Sequence, residues 1–289
     1  MSGRGPGALW LVAGAALALA GCEAPLDPLL SSDVRFSFSG YLDASADTQW
    51  VRVEPFGTTA EVPDGPIDAE VWLVLPGGAR RPMAQRVRRF ATGPAHLFWT
   101  TADVEPGRTY AVVARASDGA EARTDVEVPD DAAVTIDLDD GIFTCPTTVT
   151  VTGAERLVDV QARYGVNVGR FAGTEFRLSK LPSVRRTDAG GLRAQVFYGD
   201  DAVLMEVSPL PVEGSVRPEI VVALGTAAWP DVDGLTLEGA LAAASLGRVE
   251  GGVGFVGGVV TRRLPFVPGF GRLPFELDPE PPEPCFEAG

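Results

Sequence analysis

Residues 109–128, TYAVVARASDGAEARTDVEV, decide the fold class of this chain. Along Thr109–Ala116 and Ala122–Val128 the apolar residues mostly recur at every second position, which is the pattern of half-buried strands. Between these runs, Ser117-Asp118-Gly119 has the residue types of a tight hairpin turn. The stretch therefore predicts two antiparallel strands that are neighbours in one sheet.

Five earlier runs have the same alternation and predict further strands at Asp33–Ser39, Gln49–Glu54, Ala69–Leu75, Arg86–Phe90 and His96–Thr100. Turn sequences such as Pro63-Asp64-Gly65 and Pro76-Gly77-Gly78 separate them. Seven short strands predict a β-sandwich over residues 33–129. Residues 104–112, VEPGRTYAV, resemble the strand entry of fibronectin type III and immunoglobulin-like domains, which implies that the Tyr110 hydroxyl bonds back to the preceding turn.

A second β-rich domain is expected over residues 130–278, because Pro129-Asp130-Asp131 interrupts the alternation before it resumes. Its predicted strands are Val134–Leu138, Thr147–Thr152, Asp159–Tyr164, Glu175–Leu178, Leu192–Gly199, Val203–Val207, Glu219–Leu224 and Gly252–Arg262. Leu237, Leu241 and Ala244 predict at most one short helix near 235–246. Residues 279–289 form a tail rich in proline and glutamate. The fold class expected is all-β, with two sandwiches in tandem, the first immunoglobulin-like.

The N-terminus has the features of an exported precursor. Arg4 is followed by an uncharged apolar stretch from Ala8 to Ala20, which indicates a signal peptide over residues 1–21 and is shorter than the ~20 residues that cross a bilayer. Leu19-Ala20-Gly21-Cys22 matches a lipobox, in which the Cys22 thiol becomes acylated. An ordinary secretory signal with a chance cysteine is the alternative. We therefore expect lipid on Cys22 to hold the chain in a membrane.

Residues 22–32 contain prolines and serines that suit a tether. Glu23 stands where an aspartate would resemble an inner-membrane retention signal, so the outer membrane is the expected location.

The formal net charge of −15 repels phosphate backbones and anionic headgroups, which argues against nucleic acid as a partner.

Cys145 and Cys285 remain if Cys22 carries lipid. In an oxidising compartment they are candidates for a disulfide, and two free buried thiols are the alternative that spacing leaves open. A disulfide would tie the C-terminal tail to the start of the second domain.

Residues 252–257, GVGFVG, match the dinucleotide-binding pattern, but valines and Pro265 follow where that motif needs a helix. The segment instead predicts a strand with close backbone approach.

His96 is the only histidine and is expected to be a half-buried strand residue, because no Gly-x-Ser-x-Gly elbow accompanies it. One histidine and two distant cysteines do not supply a zinc site. No cofactor and no metal are expected.

Two kinds of charge cluster leave alternatives open. The acidic runs Asp137–Asp140 and Asp231–Asp233 are expected to be solvated turns, since neither has EF-hand spacing, and oxygen ligands for Ca²⁺ are the alternative. A spatial pair of carboxylates for glycoside hydrolysis is invisible in sequence. Arg80, Arg81, Arg86, Arg88 and Arg89 crowd one segment. They predict an exposed hairpin with arginine–carboxylate pairs, or a contact for an anionic partner.

The chain resembles the DUF4249 family of Bacteroidetes-type lipoproteins of unknown function. The resemblance rests on Phe38–Leu42, on Pro106-Gly107 with Tyr110, on Asp118-Gly119, on Val126–Pro129 and on Val249–Phe255. It implies a lipoprotein of the cell envelope that associates with TonB-dependent transporters, and it implies no activity.

The expected function is that of a non-catalytic binding or accessory subunit, since signatures of a nucleophile, metal or cofactor are missing. A hydrolase of envelope carbohydrate with paired carboxylates and a structural spacer are the alternatives.

Overall fold

The computed structural model describes residues 34–56, 63–139, 146–167, 169–207, 216–230 and 249–266. The predicted signal peptide and tether, Cys145, Cys285, the predicted helix near 235–246, residues 231–234 and the tail lie outside these residues. Those from Arg35 onwards belong to one compact unit. No helix in the described ranges has the length and apolar character needed to cross a membrane.

The described residues of the first half form seven strands, as the alternation predicts. They are β1 (Phe36–Asp43), β2 (Gln49–Pro55), β3 (Ala69–Val74), β4 (Arg80–Phe90), β5 (Gly93–Thr100), β6 (Thr109–Ala116) and β7 (Glu121–Glu127). Their order is β1-β2-β5-β4-β3-β6-β7. Strand β4 passes between two layers, since Met83 pairs with β3 and Ala84 pairs with β5. This is the strand order of an immunoglobulin-like sandwich.

Eight further strands lie in the part of the second half that the structure describes. They are β8 (Thr135–Asp139), β9 (Thr147–Thr152), β10 (Arg156–Val166), β11 (Thr174–Ser179), β12 (Arg185–Arg186), β13 (Leu192–Val196), β14 (Val216–Gly225) and β15 (Gly252–Pro265). Strands β12-β13-β9-β8 form a separate sheet. The core between it and β10 and β14 contains Val149, Val160, Tyr164, Val196 and Ile220. The all-β sandwich class is confirmed.

The predicted strand Val203–Val207 is wrong. Residues Tyr198–Met205 form the helix α1, which buries Tyr198, Ala202 and Met205 and leaves Val203 and Leu204 exposed. A run of apolar residues cannot by itself distinguish a short strand from a short helix. The spacing of three and four between the buried positions is helical, and acids in the first turn favour a helix N-terminus.

Strand β15 joins the two halves into one sheet of eleven strands, β11-β10-β14-β15-β1-β2-β5-β4-β3-β6-β7. It pairs antiparallel with β14 and parallel with β1. The segment from 130 to 278, predicted as a second domain, therefore contributes its last strand to the sheet of the first sandwich. Val256 and Val260 of β15 pack into the core of that sandwich.

Gly258 explains why glycine is needed in β15. A Cβ at this position would lie 2.2 Å from the carbonyl oxygen of Glu127, at the end of β7. The predicted role of the glycine-rich segment, a strand with close backbone approach, is confirmed.

Candidate functional site

One face of the long sheet is turned away from the core of the first sandwich. In β1 the side chains of Phe36, Phe38 and Leu42 are buried in that core, so the alternate residues Tyr41 and Asp43 lie on the opposite face. The same alternation across β2, β5, β10, β14 and β15 builds a continuous outer face that spans the two halves.

Three aromatic side chains on this outer face lie side by side, and we call them the aromatic row: Tyr41, Trp50 and Trp99. Tyr41 pairs in register with Trp50, and Trp50 pairs in register with Trp99, on the neighbouring strands β1, β2 and β5. The centroids of the two indole rings are 5.9 Å apart with a tilt of 31°. Tyr41 is 41% and Trp50 38% exposed.

A pocket of about 200 Å³ begins at Tyr41 and continues over β15, β14, β10 and β11. We call it the strand-face pocket. Val158, Val221, Ala223 and Val259 supply its apolar part. Its polar lining consists of Tyr41, Asp43, Asp159, Gln161, Arg163, Arg177, Thr261 and Arg263.

Trp229 fixes the apolar wall of the strand-face pocket. It is buried with Val158, Val259 and Phe255, and its ring meets that of Phe255 edge to face at 5.0 Å. Its indole nitrogen donates a hydrogen bond to the carbonyl oxygen of Gly258 at 3.0 Å. A Cβ on Gly257 would lie 2.3 Å from the indole ring, so glycine at this position makes room for Trp229.

Asp159 is the unusual group of the pocket. Its side chain is only 6% exposed, and Oδ1 has no hydrogen-bond partner within the described part of the chain. Oδ2 accepts a hydrogen bond of 2.5 Å from the amide nitrogen of Gln161. Burial raises the pKa of Asp159 above its ordinary value. The Gln161 hydrogen bond, a hydrogen bond from the Val160 backbone and the charge of Arg163 oppose that rise.

Arg163 continues the same row of polar groups along β10. Its Nε donates to the side-chain oxygen of Gln161 at 3.2 Å. Burial and the neighbouring Arg177 and Arg263 lower its pKa. Within the ranges that the structure describes, Arg163 has no carboxylate within ion-pair distance, whereas Arg177 pairs with Glu175 at 2.6 Å.

Asp43 lies in the same pocket but its carboxylate is occupied. Oδ1 accepts hydrogen bonds from the backbone nitrogens of Ser45 and Thr261 at 2.9 and 3.2 Å, and Oδ2 accepts the Thr261 hydroxyl at 2.7 Å. Asp43 therefore fixes β1 to β15. Of the two pocket carboxylates, only Asp159 has an oxygen without a hydrogen-bond partner in the described part of the chain.

A larger cleft of about 720 Å³ lies at one end of the first sandwich, between the β3–β4 turn and the loop after β5. Asp103, Glu105, Arg81 and Arg108 line it, and all four are exposed. Glu105 and Arg108 form an exposed ion pair at 3.5 Å. Ion pairs exposed to solvent contribute little free energy, so the charged groups of this cleft offer little to a ligand. We therefore place the candidate site in the strand-face pocket.

Buried polar groups elsewhere have structural partners. His96 is fully buried, more so than predicted, with Nδ1 2.5 Å from Oε2 of Glu54 and Nε2 2.8 Å from the carbonyl oxygen of Gly65. In α1, Asp201 accepts the Tyr164 hydroxyl at 2.6 Å and pairs with Lys180. Burial first, and then Asp201, raises the pKa of Tyr164, which keeps its hydroxyl protonated.

Tyr110 is placed as the sequence predicts, because its hydroxyl accepts a hydrogen bond from the backbone nitrogen of Glu105 at 2.7 Å. The arginine segment forms the exposed β4–β5 hairpin. Arg89 pairs with Asp64 at 3.0 Å, whereas Arg80 lies over the ring of Trp72 and Arg88 over that of Phe90.

The acidic run at 137–140 is described as far as Asp139, and Asp137 and Asp139 are exposed on β8. Across the described ranges no three metal-ligating side chains come together.

The sequence patterns did not predict the aromatic row, Asp159 or Arg163 as functional residues. The only available signal was that aromatic and charged residues occupy the outward positions of predicted strands.

Comparison with known proteins gives little guidance. No family model and no curated protein matches the chain. Matching solved structures include pullulanase from Anoxybacillus sp. LM18-11, at 13% identity, and the same enzyme complexed with maltotriose, at 12%. Both have a TM-score of 0.23 and cover 65% of this chain but only 24% of the pullulanase chain. A TM-score this low carries no argument.

Proposed function

We propose that the chain is a non-catalytic binding protein of the cell envelope, anchored by lipid on Cys22, that holds its ligand on the outer face of the long sheet. The observation that supports it is the aromatic row, which lies in register beside a pocket with an unpartnered buried carboxylate oxygen. Exposed aromatic side chains grouped on one surface are typical of binding sites. Glu23 suggests the outer membrane, and the DUF4249 resemblance suggests a TonB-dependent transporter as a neighbour.

Hydrolysis of envelope carbohydrate is the rival function, because Asp43 and Asp159 line one pocket. Paired-carboxylate catalysis needs one acid to donate a proton and the other to act as base or nucleophile. The Asp43 oxygens are both engaged by backbone and Thr261, which leaves Asp159 without a working partner. The geometry therefore favours binding over catalysis.

Binding to isolated envelopes tests the proposal. Protein that starts at residue 22 and carries Cys22→Ser, so that it cannot be acylated, is mixed with envelope fragments of the source cells and sedimented. We expect saturable co-sedimentation that is lost in the Tyr41→Ala/Trp50→Ala double variant. Phe90→Ala is the matched control, because Phe90 is 50% exposed at the far end of β4.

Two results would contradict the proposal. One is the absence of saturable binding, and the other is binding that is equal in the double variant and the wild type. Release of reducing sugar from the fragments that depends on Asp159 would instead support the hydrolase.

A further inference from the structure

We infer that the strand-face pocket and the aromatic row bind a sugar chain, with one sugar ring in the pocket and the next against Tyr41 and Trp50. This inference rests on the proposed function and names its ligand class.

Asp159 determines what the ligand must offer inside the pocket. Its Oδ1 is buried without a partner, so the complementary group there is a hydrogen-bond donor. A cationic donor is disfavoured, because Arg163, Arg177 and Arg263 line the same pocket. A neutral donor such as a hydroxyl satisfies the carboxylate without meeting this repulsion.

Arg163 determines the second requirement. Its guanidinium has no carboxylate within ion-pair distance in the described ranges, so it can donate to an oxygen of the ligand. Three polar side chains occupy alternate positions on one face of β10. They present an acceptor at Asp159, an amide at Gln161 and a donor at Arg163, in line along the strand. The hydroxyl groups around a sugar ring, each both donor and acceptor, match this arrangement.

The aromatic row fits the other side of the same ligand. A pyranose ring has a face of C–H groups that packs on an aromatic ring, while its hydroxyls point outward to polar groups. The pocket volume of about 200 Å³ is of the size of one such ring. Tyr41 belongs to both the row and the pocket, so a chain of two or more sugars can contact both at once. A phosphate-rich polymer is disfavoured by the net charge of −15.

Pretreated envelopes test the ligand class. Envelope fragments are oxidised with periodate, which cleaves vicinal diols, or digested with proteinase K, before the co-sedimentation described above. We expect periodate to remove the binding that depends on Tyr41 and Trp50, and proteinase K to leave it. If proteinase K removes the binding and periodate does not, the partner is a protein. The inference then fails while the proposed function stands.

Soluble polymers identify the kind of sugar. Full-length protein in detergent is run through gels that contain xylan or mannan as neutral polymers, or alginate or polygalacturonate as uronic acids. We expect retardation by at least one polymer, weakened about ten-fold in Trp50→Ala and in Asp159→Asn. Phe90→Ala should behave as wild type. Arg163→Gln should weaken binding to uronic acids more than to neutral sugars.

Lack of retardation by every polymer, or retardation that Trp50→Ala and Asp159→Asn leave unchanged, would overturn the inference. Circular dichroism and thermal unfolding of each variant show that the fold is intact. Asp159→Asn is informative here because it removes a buried charge, which we expect to stabilise the fold while weakening binding.

Discussion

Asp159 places a carboxylate where burial penalises its charge more than Gln161, the Val160 backbone and Arg163 favour it. One oxygen bonds Gln161 and the other has no partner, and the side chain is 6% exposed. A buried polar group without a partner lowers the free energy of unfolding by about 1–3 kcal/mol in typical proteins. Proteins tolerate such a loss of stability mainly at functional sites, so the burial of Asp159 supports a binding role for the strand-face pocket.

We predict that Asp159→Asn raises the free energy of unfolding at neutral pH by about 1 kcal/mol. Because burial raises the pKa of Asp159 in the folded state, the folded protein holds the proton more tightly than the unfolded chain. The ionised carboxylate therefore destabilises the fold at pH values above the folded-state pKa. As the pH falls through the folded-state pKa towards the unfolded-state value of about 3.9, this destabilisation shrinks, so the gain should be smaller at pH 4 than at pH 7.

Urea unfolding of wild type and Asp159→Asn at pH 7 and pH 4 measures this difference. Asp137→Asn is the matched control, because Asp137 is exposed on β8 and should show no comparable gain. A variant less stable than wild type at pH 7 would show that the Asp159 charge has a structural partner.

Tyr110 contributes to the stability of the first sandwich. Its hydroxyl accepts the backbone nitrogen of Glu105 and fixes the loop before β6. We predict that Tyr110→Phe lowers the free energy of unfolding by about 1 kcal/mol, because the part-buried backbone nitrogen of Glu105 loses its acceptor while the ring packing remains. Thermal unfolding measures the change, and an unchanged Tm would mean that water replaces the hydroxyl without loss.

Among the elements, β15 has the largest effect on the architecture. It connects β14 of the second half with β1 of the first and also lies against β7. The alternation in its sequence indicates a strand, but it does not identify β1 as the parallel neighbour of that strand. Pairing between strands that are more than 200 residues apart depends on tertiary contacts, which a local pattern does not contain.

Gly258 allows β7 to approach β15. We predict that Gly258→Ala lowers the free energy of unfolding by roughly 1–3 kcal/mol, because its Cβ would overlap the Glu127 carbonyl and a backbone segment must move. Gly65→Ala is the control, since a Cβ at Gly65 would meet nothing within 4 Å. Denaturant unfolding of the two variants gives the comparison, and equal stabilities would mean that β7 shifts freely.

At the scale of the whole molecule, the proposed anchor lies outside the described residues and is predicted from sequence alone. We predict that Cys22→Ser releases a folded protein from the membrane fraction, because lipid on Cys22 is the only proposed membrane contact. Fractionation of cells that express each form measures the release. A variant that stays in the membrane fraction would contradict the anchor, unless high salt or urea detaches it from a bound envelope ligand.

The sequence by itself determined the all-β class and the strands of the first sandwich, because alternation and turn residues act over short distances. The bond of Tyr110 followed from the resemblance of residues 104–112 to fibronectin type III domains. Only the tertiary structure decided that β15 completes the sheet of the first sandwich and that residues 198–205 form a helix. It also placed Tyr41, Trp50 and Asp159 on one face, since they come from strands whose adjacency is set by packing. Strand registry and burial are cooperative properties of the folded chain, and the candidate site is built from both.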